Sequence, residues 1–201
     1  MEVTDASGGQ FLRGFKDTAK SFTDLPNQAP EGFTIKVVGD NNKDEDDFYV
    51  RFEGDLGSGT WQETAEDGAV NYWDASTLPH GLSQAADLSF SLDPLEWDSR
   101  QAGDEATNPF PSIVDSNINA VFFHRNRLGF LTGENIVFSE AGEYGNFFRT
   151  TVRTLLDADP IDVAVSQAEV ADLQAAIPFQ EDLILFSELN QFTLSDRKSV
   201  V

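Results

Sequence analysis

The chain has 201 residues, with 35 Asp or Glu against 13 Lys or Arg, for a net charge of −22. That balance excludes a conventional nucleic-acid binder, whose affinity comes from cations that neutralise phosphates and release counterions. With no cysteine there is no disulfide and no thiolate metal site, and no apolar run is long enough to cross a membrane as a helix, so no membrane insertion is expected.

The acidic balance suits solubility. It also suits a surface that DNA must pass without sticking, because carboxylates repel phosphates over about 8 Å at physiological salt. A chain of this length buries roughly 70% of its unfolded surface, and 17 Phe point to a core built from aromatic rings. The opening MEVTDASGGQ lacks the basic start and apolar stretch of a secretion signal.

In chain order, Phe11, Phe15, Ala19 and Phe22 recur at helical spacing and predict a short amphipathic helix over Gln10–Phe22. Phe33–Val38 and Phe48–Glu53 read as strands, and Thr60–Thr64 around Trp61 as a third. Residues 1–65 are therefore expected to form a small α+β unit, and 66–201 a β-rich region. One strand, Leu88–Leu92, is predicted between Glu66 and Pro111, beside turns at Thr77-Leu78-Pro79-His80 and Thr107-Asn108-Pro109.

Asn119–Asn146 carries the strongest pattern. Val121–His124, Leu128–Leu131 and Ile136–Ser139 are rich in Phe, Ile, Val and Leu and read as a β-meander. Its first turn is built on Arg125, Asn126 and Arg127, and its second on Gly133, Glu134 and Asn135, with Asn and Gly suited to tight hairpins. TTVRTLLDADP reads as a short helical run and Asp162–Val165 as a buried strand. Ser166-Gln167-Ala168-Glu169 has the spacing of a capping box, which predicts a helix to about Ala176 with Val170, Leu173 and Ile177 on one face, stopped by Pro178. Leu183–Phe186 and Gln191–Leu194 form a hairpin across Glu188-Leu189-Asn190. The fold class is thus mainly β, with antiparallel meanders and one or two short helices; two meander units around a short helix suggest a weak repeat.

Sites of chemistry are sparse. Counting twelve positions from Asp40, the acidic loop Asp40–Asp47 places Glu45 where a calcium loop needs Gly and Arg51 where it needs Glu, so it reads as a solvated loop. Asp157, Asp159 and Asp162 gather around Pro160 and leave three readings open: an ordinary Asp-Pro turn, a hard-cation site, or a carboxylate pair for glycan hydrolysis. The last needs two carboxyl groups about 5 or 6.5–9.5 Å apart. His80 and His124 are the two histidines and neither sits in a recognisable catalytic motif; G-x-S-x-G, the P-loop and G-x-G-x-x-G are absent. No catalytic, cofactor or metal residues are assigned. Arg125 and Arg127 flank one turn in a cation-poor chain. They are either exposed turn residues or assembly contacts whose guanidinium forks clamp a neighbouring segment or subunit.

Several blocks, taken together and in order, are similar to one family. WDSRQAGDEATNPFPSIV, FFHRNRLGFLTGENIVFSEAGEYGNFF, DADPIDVAVS and AIPFQEDLILFSELNQFTLS, over Trp97–Ser195, resemble the tail tubular protein B, or nozzle, family of short-tailed podovirus-type phages. Trp61-Gln62-Glu63-Thr64 and Thr77-Leu78-Pro79-His80-Gly81-Leu82 resemble its upstream region. The resemblance implies a non-enzymatic structural virion protein with propeller-like blades. It implies a six-fold homo-oligomeric ring that stacks on an adaptor (tail tubular protein A) ring, supports tail fibre protein and lines the channel for genome ejection. Duplex DNA would pass without specific binding, and the chain would reside in the virion tail and, during assembly, in the host cytoplasm. The family carries no catalytic or metal residues to this chain. Its members are several-fold longer, so the chain reads as an internal fragment, a split reading frame or a reduced relative. The alternative functions are a virion-associated hydrolase of host envelope glycans and a fibre- or receptor-docking module.

Overall fold

The computed structural model describes residues 18–39, 47–55, 58–166 and 171–195, which form two compact units. The first unit combines Met1–Asn71, Arg100–Pro109 and Thr150–Leu155, and the second combines Tyr72–Ser99, Phe110–Arg149 and Leu156–Val201.

In the first unit a four-stranded sheet is laid down in chain order. Strand β1 (Thr18–Ala19) runs parallel to β2 (Thr34–Val37), which pairs antiparallel with β3 (Phe48–Asp55), itself antiparallel to β4 (Ser58–Thr64). Period-two alternation drives the packing. Ile35 lies opposite Val50 and Val37 opposite Phe48, so one face collects Ile35, Val37, Phe48 and Val50 over Ala19 and Leu25. Trp61 packs on this core and donates its indole N–H to the Pro26 carbonyl (2.8 Å). The helix expected over Gln10–Phe22 is corrected where it can be seen. Thr18–Ala19 is strand and Phe22–Asp24 a single 3-10 turn, because Val38 N–H bonds Ala19 O (2.8 Å) and draws this segment onto the sheet edge; residues 10–17 lie outside the described residues.

Two distant segments close this unit. Gly103 N–H bonds Thr64 O (3.2 Å) and Glu66 N–H bonds Gly103 O (2.9 Å). The Glu63 carboxylate accepts from Val152 N–H (2.8 Å) and from the Thr151 hydroxyl (2.7 Å), while the Arg153 guanidinium lies 5.1 Å from the Phe48 ring centre. These tethers hold residues 150–155 in bends, so the helical run expected in TTVRTLLDADP does not form.

The second unit contains three sheets. A hairpin joins β5 (His80–Gln84) to β6 (Phe90–Pro94). A four-stranded antiparallel meander follows in the order β7 (Ala120–His124), β8 (Arg127–Thr132), β9 (Asn135–Phe138) and β10 (Ile161–Ala164). A three-stranded meander is made by β11 (Leu173–Phe179), β12 (Asp182–Ser187) and β13 (Gln191–Ser195). Strand β8 is buried along its whole length because both of its faces are covered. Leu128 and Phe130 pack with Val137, Ile113 and Phe147, backed by Trp73 and Trp97. Leu131 points the other way and joins Phe122, Ile136 and Phe138 against Leu173, Leu183 and Leu185. The aromatic core expected from composition is present, with Phe130 stacked on Phe147 (5.4 Å between centroids) and Phe148 edge-on to Phe110 (5.1 Å).

Two expectations are corrected here. Residues 173–179 form a strand, so Leu173 and Ile177 do not share a helical face; Leu173 is buried while Ile177 is exposed, and residues 167–170 lie outside the described residues. Pro178 is accommodated because β11 is an edge strand, where a missing N–H need not break a ladder. The start of β11 is fixed instead by tertiary bonds, from Leu173 N–H to Gly133 O (2.8 Å) and from Ala171 N–H to the Glu134 carboxylate (2.9 Å). Strand β10 exists as expected but is exposed rather than buried, since it pairs only with β9.

Candidate functional site

The β7–β8 turn carries the two arginines singled out in the sequence. Arg125 (φ 49°) and Asn126 (φ 60°) both take left-handed backbone, the geometry of a two-residue turn whose twist matches its flanking strands. Tyr144 donates its hydroxyl hydrogen to Asn126 Oδ1 (2.8 Å), and Gly142 N–H bonds Asn126 O (2.8 Å), so the turn is held from outside.

The two arginines diverge. Arg127 is buried, and its Nη1 donates to the carbonyls of Ser139 (2.7 Å), Asp159 (2.7 Å) and Ala158 (3.1 Å) while Nη2 donates to that of Asp157 (2.8 Å). A planar fork spans four acceptors that a point-like ammonium could not. The guanidinium thus holds the segment 157–159 against β8 and β9. Arg125 stays exposed on the turn.

Of the three acids singled out in the sequence, two are tied to nearby donors and one is exposed. Asp159 is buried; its Oδ2 accepts from Leu156 N–H (2.8 Å) and faces Arg149 Nε at 3.4 Å. Asp162 accepts from Ser112 N–H (2.7 Å) and from the Asn135 amide (3.0 Å), pinning β10 to the preceding loop. Asp157 is exposed and contributes its carbonyl to Arg127. Among the described residues, no three His, Asp or Glu side chains converge to hold a metal. His80 bonds Leu78 O through Nδ1 (2.9 Å) in its turn. His124 is half-buried at the end of β7; burial, and then the Arg125 charge, lower its pKa, against a Glu181 main-chain bond and the Asp182 charge, which raise it. Asp47, at the end of the acidic loop, pairs with Lys36 at 2.8 Å; residues 40–46 lie outside the described residues.

One cavity of about 570 Å³ opens beside the turn. Phe138, Ile161, Val163 and Leu194 give it apolar walls, and His124, Arg125, Arg127 and Asp157 supply its charged and titratable groups. Sequence reasoning found the arginines but not the cavity, since Leu194 comes to it from β13, far along the chain.

The architecture is that of a β scaffold whose ionisable groups hold segments in place. The class it defines is a mainly β fold built from antiparallel meanders. The profile of the bacteriophage nozzle protein family matches residues 1–201, and the chain belongs to that family. It is similar to the tail tubular protein gp12 of Escherichia phage T7, with 44% identity over 195 residues, covering 95% of this chain and 24% of that protein. The chain thus spans about a quarter of the length of the curated relative it matches.

Proposed function

We propose that this chain is a structural piece of the wall of a phage tail nozzle, and that its work is mechanical: to assemble by β-rich surfaces and to present carboxylates to a channel through which the genome leaves. The observation that carries the reading is the family match along the whole chain, joined to a site whose best-placed cation is spent on main-chain carbonyls. The four-stranded meander β7–β10, ordered as in the chain, supports a blade of propeller type. The net charge of −22 supports a surface over which duplex DNA slides. A homo-oligomeric ring, six-fold by resemblance, stacking on an adaptor ring and carrying fibres, extends the reading to partners.

Antibodies raised against the chain should decorate the tail of intact particles in negative stain. Labelling confined to capsids or to unassembled protein would refute the assignment. Purified chain should show no duplex binding at low salt, where electrostatic affinity is greatest; tight binding there would remove the sliding-surface argument alone.

A further inference from the structure

The second unit stacks two sheets face to face, through Leu131, Ile136 and Phe138 on one and Leu173, Leu183 and Leu185 on the other. One margin of the stack is tied: the Asn119 side-chain amide, beside β7, donates to Leu173 O at the start of β11 (3.0 Å). The other margin is open. Strand β10 ends its sheet and β13 ends the other, and each pairs on one side alone. The cavity of about 570 Å³ lies there, between Phe138, Ile161 and Val163 on one side and Leu194 on the other, and its volume is that of a binding site.

Register fixes which groups of β10 are unclaimed. Val165 N–H bonds Glu134 O (2.9 Å), so Ile161, Val163 and Val165 turn their main chain toward β9, while Asp162 and Ala164 turn theirs outward. Among the described residues nothing meets these outward N–H and C=O groups, and all four residues of β10 are exposed. The side chains of Ile161 and Val163, register partners of Phe138 and Ile136, fall on the cavity face. Asp162 lies on the opposite face, held by Ser112 N–H and the Asn135 amide. An open edge that runs along an apolar cavity is a template for an added strand: main-chain bonds supply affinity, and alternate side chains enter the pocket.

We propose that β10 takes an added strand from a different polypeptide: an extended segment, apolar at every second residue, whose main chain pairs with Asp162 and Ala164 and whose apolar side chains fill the cavity against Ile161, Val163 and Leu194. The unpaired main chain selects a polypeptide over a small ligand. The cavity selects against a second copy of this chain. In a two-fold β10–β10 pair the Ile161 and Val163 of each copy stay on their own cavity wall, and both cavities remain empty. Charge takes no part in the choice. Arg125 and Arg127 at the mouth stand against Asp157, with Glu181 and Asp182 beside His124, and Arg127 is committed to main-chain carbonyls. On its other face the segment lies beside Asp162 and Ala164, so its intervening residues are small or polar.

The probe is a capped, uncharged octapeptide that alternates valine and serine. Titrated into the purified chain, it should slow amide exchange at Asp162 and Ala164 by about tenfold, while Val163, already bonded to β9, changes little. Of the two alternate sets of peptide amides, N-methylation of one should weaken binding about tenfold and of the other should not. Ala164→Pro, which removes an outward N–H and spares the β9 ladder, and Val163→Asp, which puts a charge on the cavity wall, should each weaken it as well. Unchanged exchange at millimolar peptide, slowing at Thr193 and Ser195 of β13 instead, equal binding by both methylated peptides, or indifference to both substitutions overturns the proposal. In assembled particles, Ser195→Cys gives a chain without cysteine one thiol for a photo-crosslinker at the cavity mouth. It should join the chain to a different polypeptide, at a segment with that alternation; no link, a link to a second copy, or one internal to the same polypeptide overturns the proposal. Absence of the chain from particles refutes the tail assignment, and the peptide titration then decides the edge by itself.

Discussion

The Phe122 ring lies over Gly129, its register partner across the β7–β8 ladder, and fills the space a side chain would otherwise take. A Cβ built on Gly129 would fall well inside van der Waals contact with that ring, and Phe122 belongs to the packed core that joins the two meanders. Gly129→Ala should therefore destabilise the chain by about 1–3 kcal/mol, the range for overpacking, despite the smaller backbone entropy of alanine in the unfolded chain. Urea denaturation checks this; an unchanged or higher midpoint would show that the ring moves away freely. In the first unit the Phe52 ring likewise covers Gly59, although Gly59 pairs with Gly54 in the β3–β4 ladder, and Gly59→Ala should behave alike.

Arg127 is expected to act as a structural staple. Its guanidinium meets four carbonyls in a buried setting, so Arg127→Ala should cost about 3 kcal/mol, the scale of lost charge-assisted bonds and stranded acceptors. Arg127→Lys should recover only part of that loss, because one ammonium cannot reach all four. Arg125→Ala, at an exposed turn position, should stay within about 0.5 kcal/mol. Chemical denaturation of the three variants separates the roles; equal costs for Arg125 and Arg127 would contradict the assignment.

This division was only half legible in the sequence. The meander could be read because Val121–His124, Leu128–Leu131 and Ile136–Ser139 alternate with turn residues that act locally. Which arginine turns inward could not, because the four carbonyls that capture Arg127 come from Ser139 and from residues 157–159. Residues 173–177 failed for a similar reason. Their spacing is compatible with a helix, and the bonds from Gly133 and Glu134 that commit the segment to a strand arrive from a turn about forty residues upstream. The Pro178 that read as a helix stop marks an edge strand instead.

The Glu63 carboxylate should control the local order of the segment it grips. Glu63→Gln leaves one oxygen to do the work of two, so exchange of the Val152 amide hydrogen should accelerate by roughly tenfold, equivalent to about 1.4 kcal/mol of local opening. Hydrogen exchange followed by mass spectrometry reads this directly. Unchanged protection over residues 150–155 would mean that other contacts hold the segment.

Alkaline pH should loosen the first unit. Burial, and then the hydrogen bond to Glu66, raise Tyr49 from its ordinary 10.0 to about 12. The Asp47 bond raises Lys36 from 10.5 despite some loss of hydration. In each case the folded pKa exceeds the unfolded one, so the protonated form is favoured by folding. The stability they contribute is complete below about pH 10 and is lost as pH climbs through the folded values. Thermal melts between pH 9 and 12 should show a falling midpoint, and Tyr49→Phe should flatten the part of the fall between about pH 10 and 12. An identical slope in wild type and Tyr49→Phe would show that this tyrosine is not a source of the loss.

The most direct test of the central claim is a cryo-electron reconstruction of the virion tail. The account predicts that this chain's meanders are found repeated around the tail axis, with carboxylates facing the lumen. A tail wall resolved to side-chain level with no density matching the chain would contradict it.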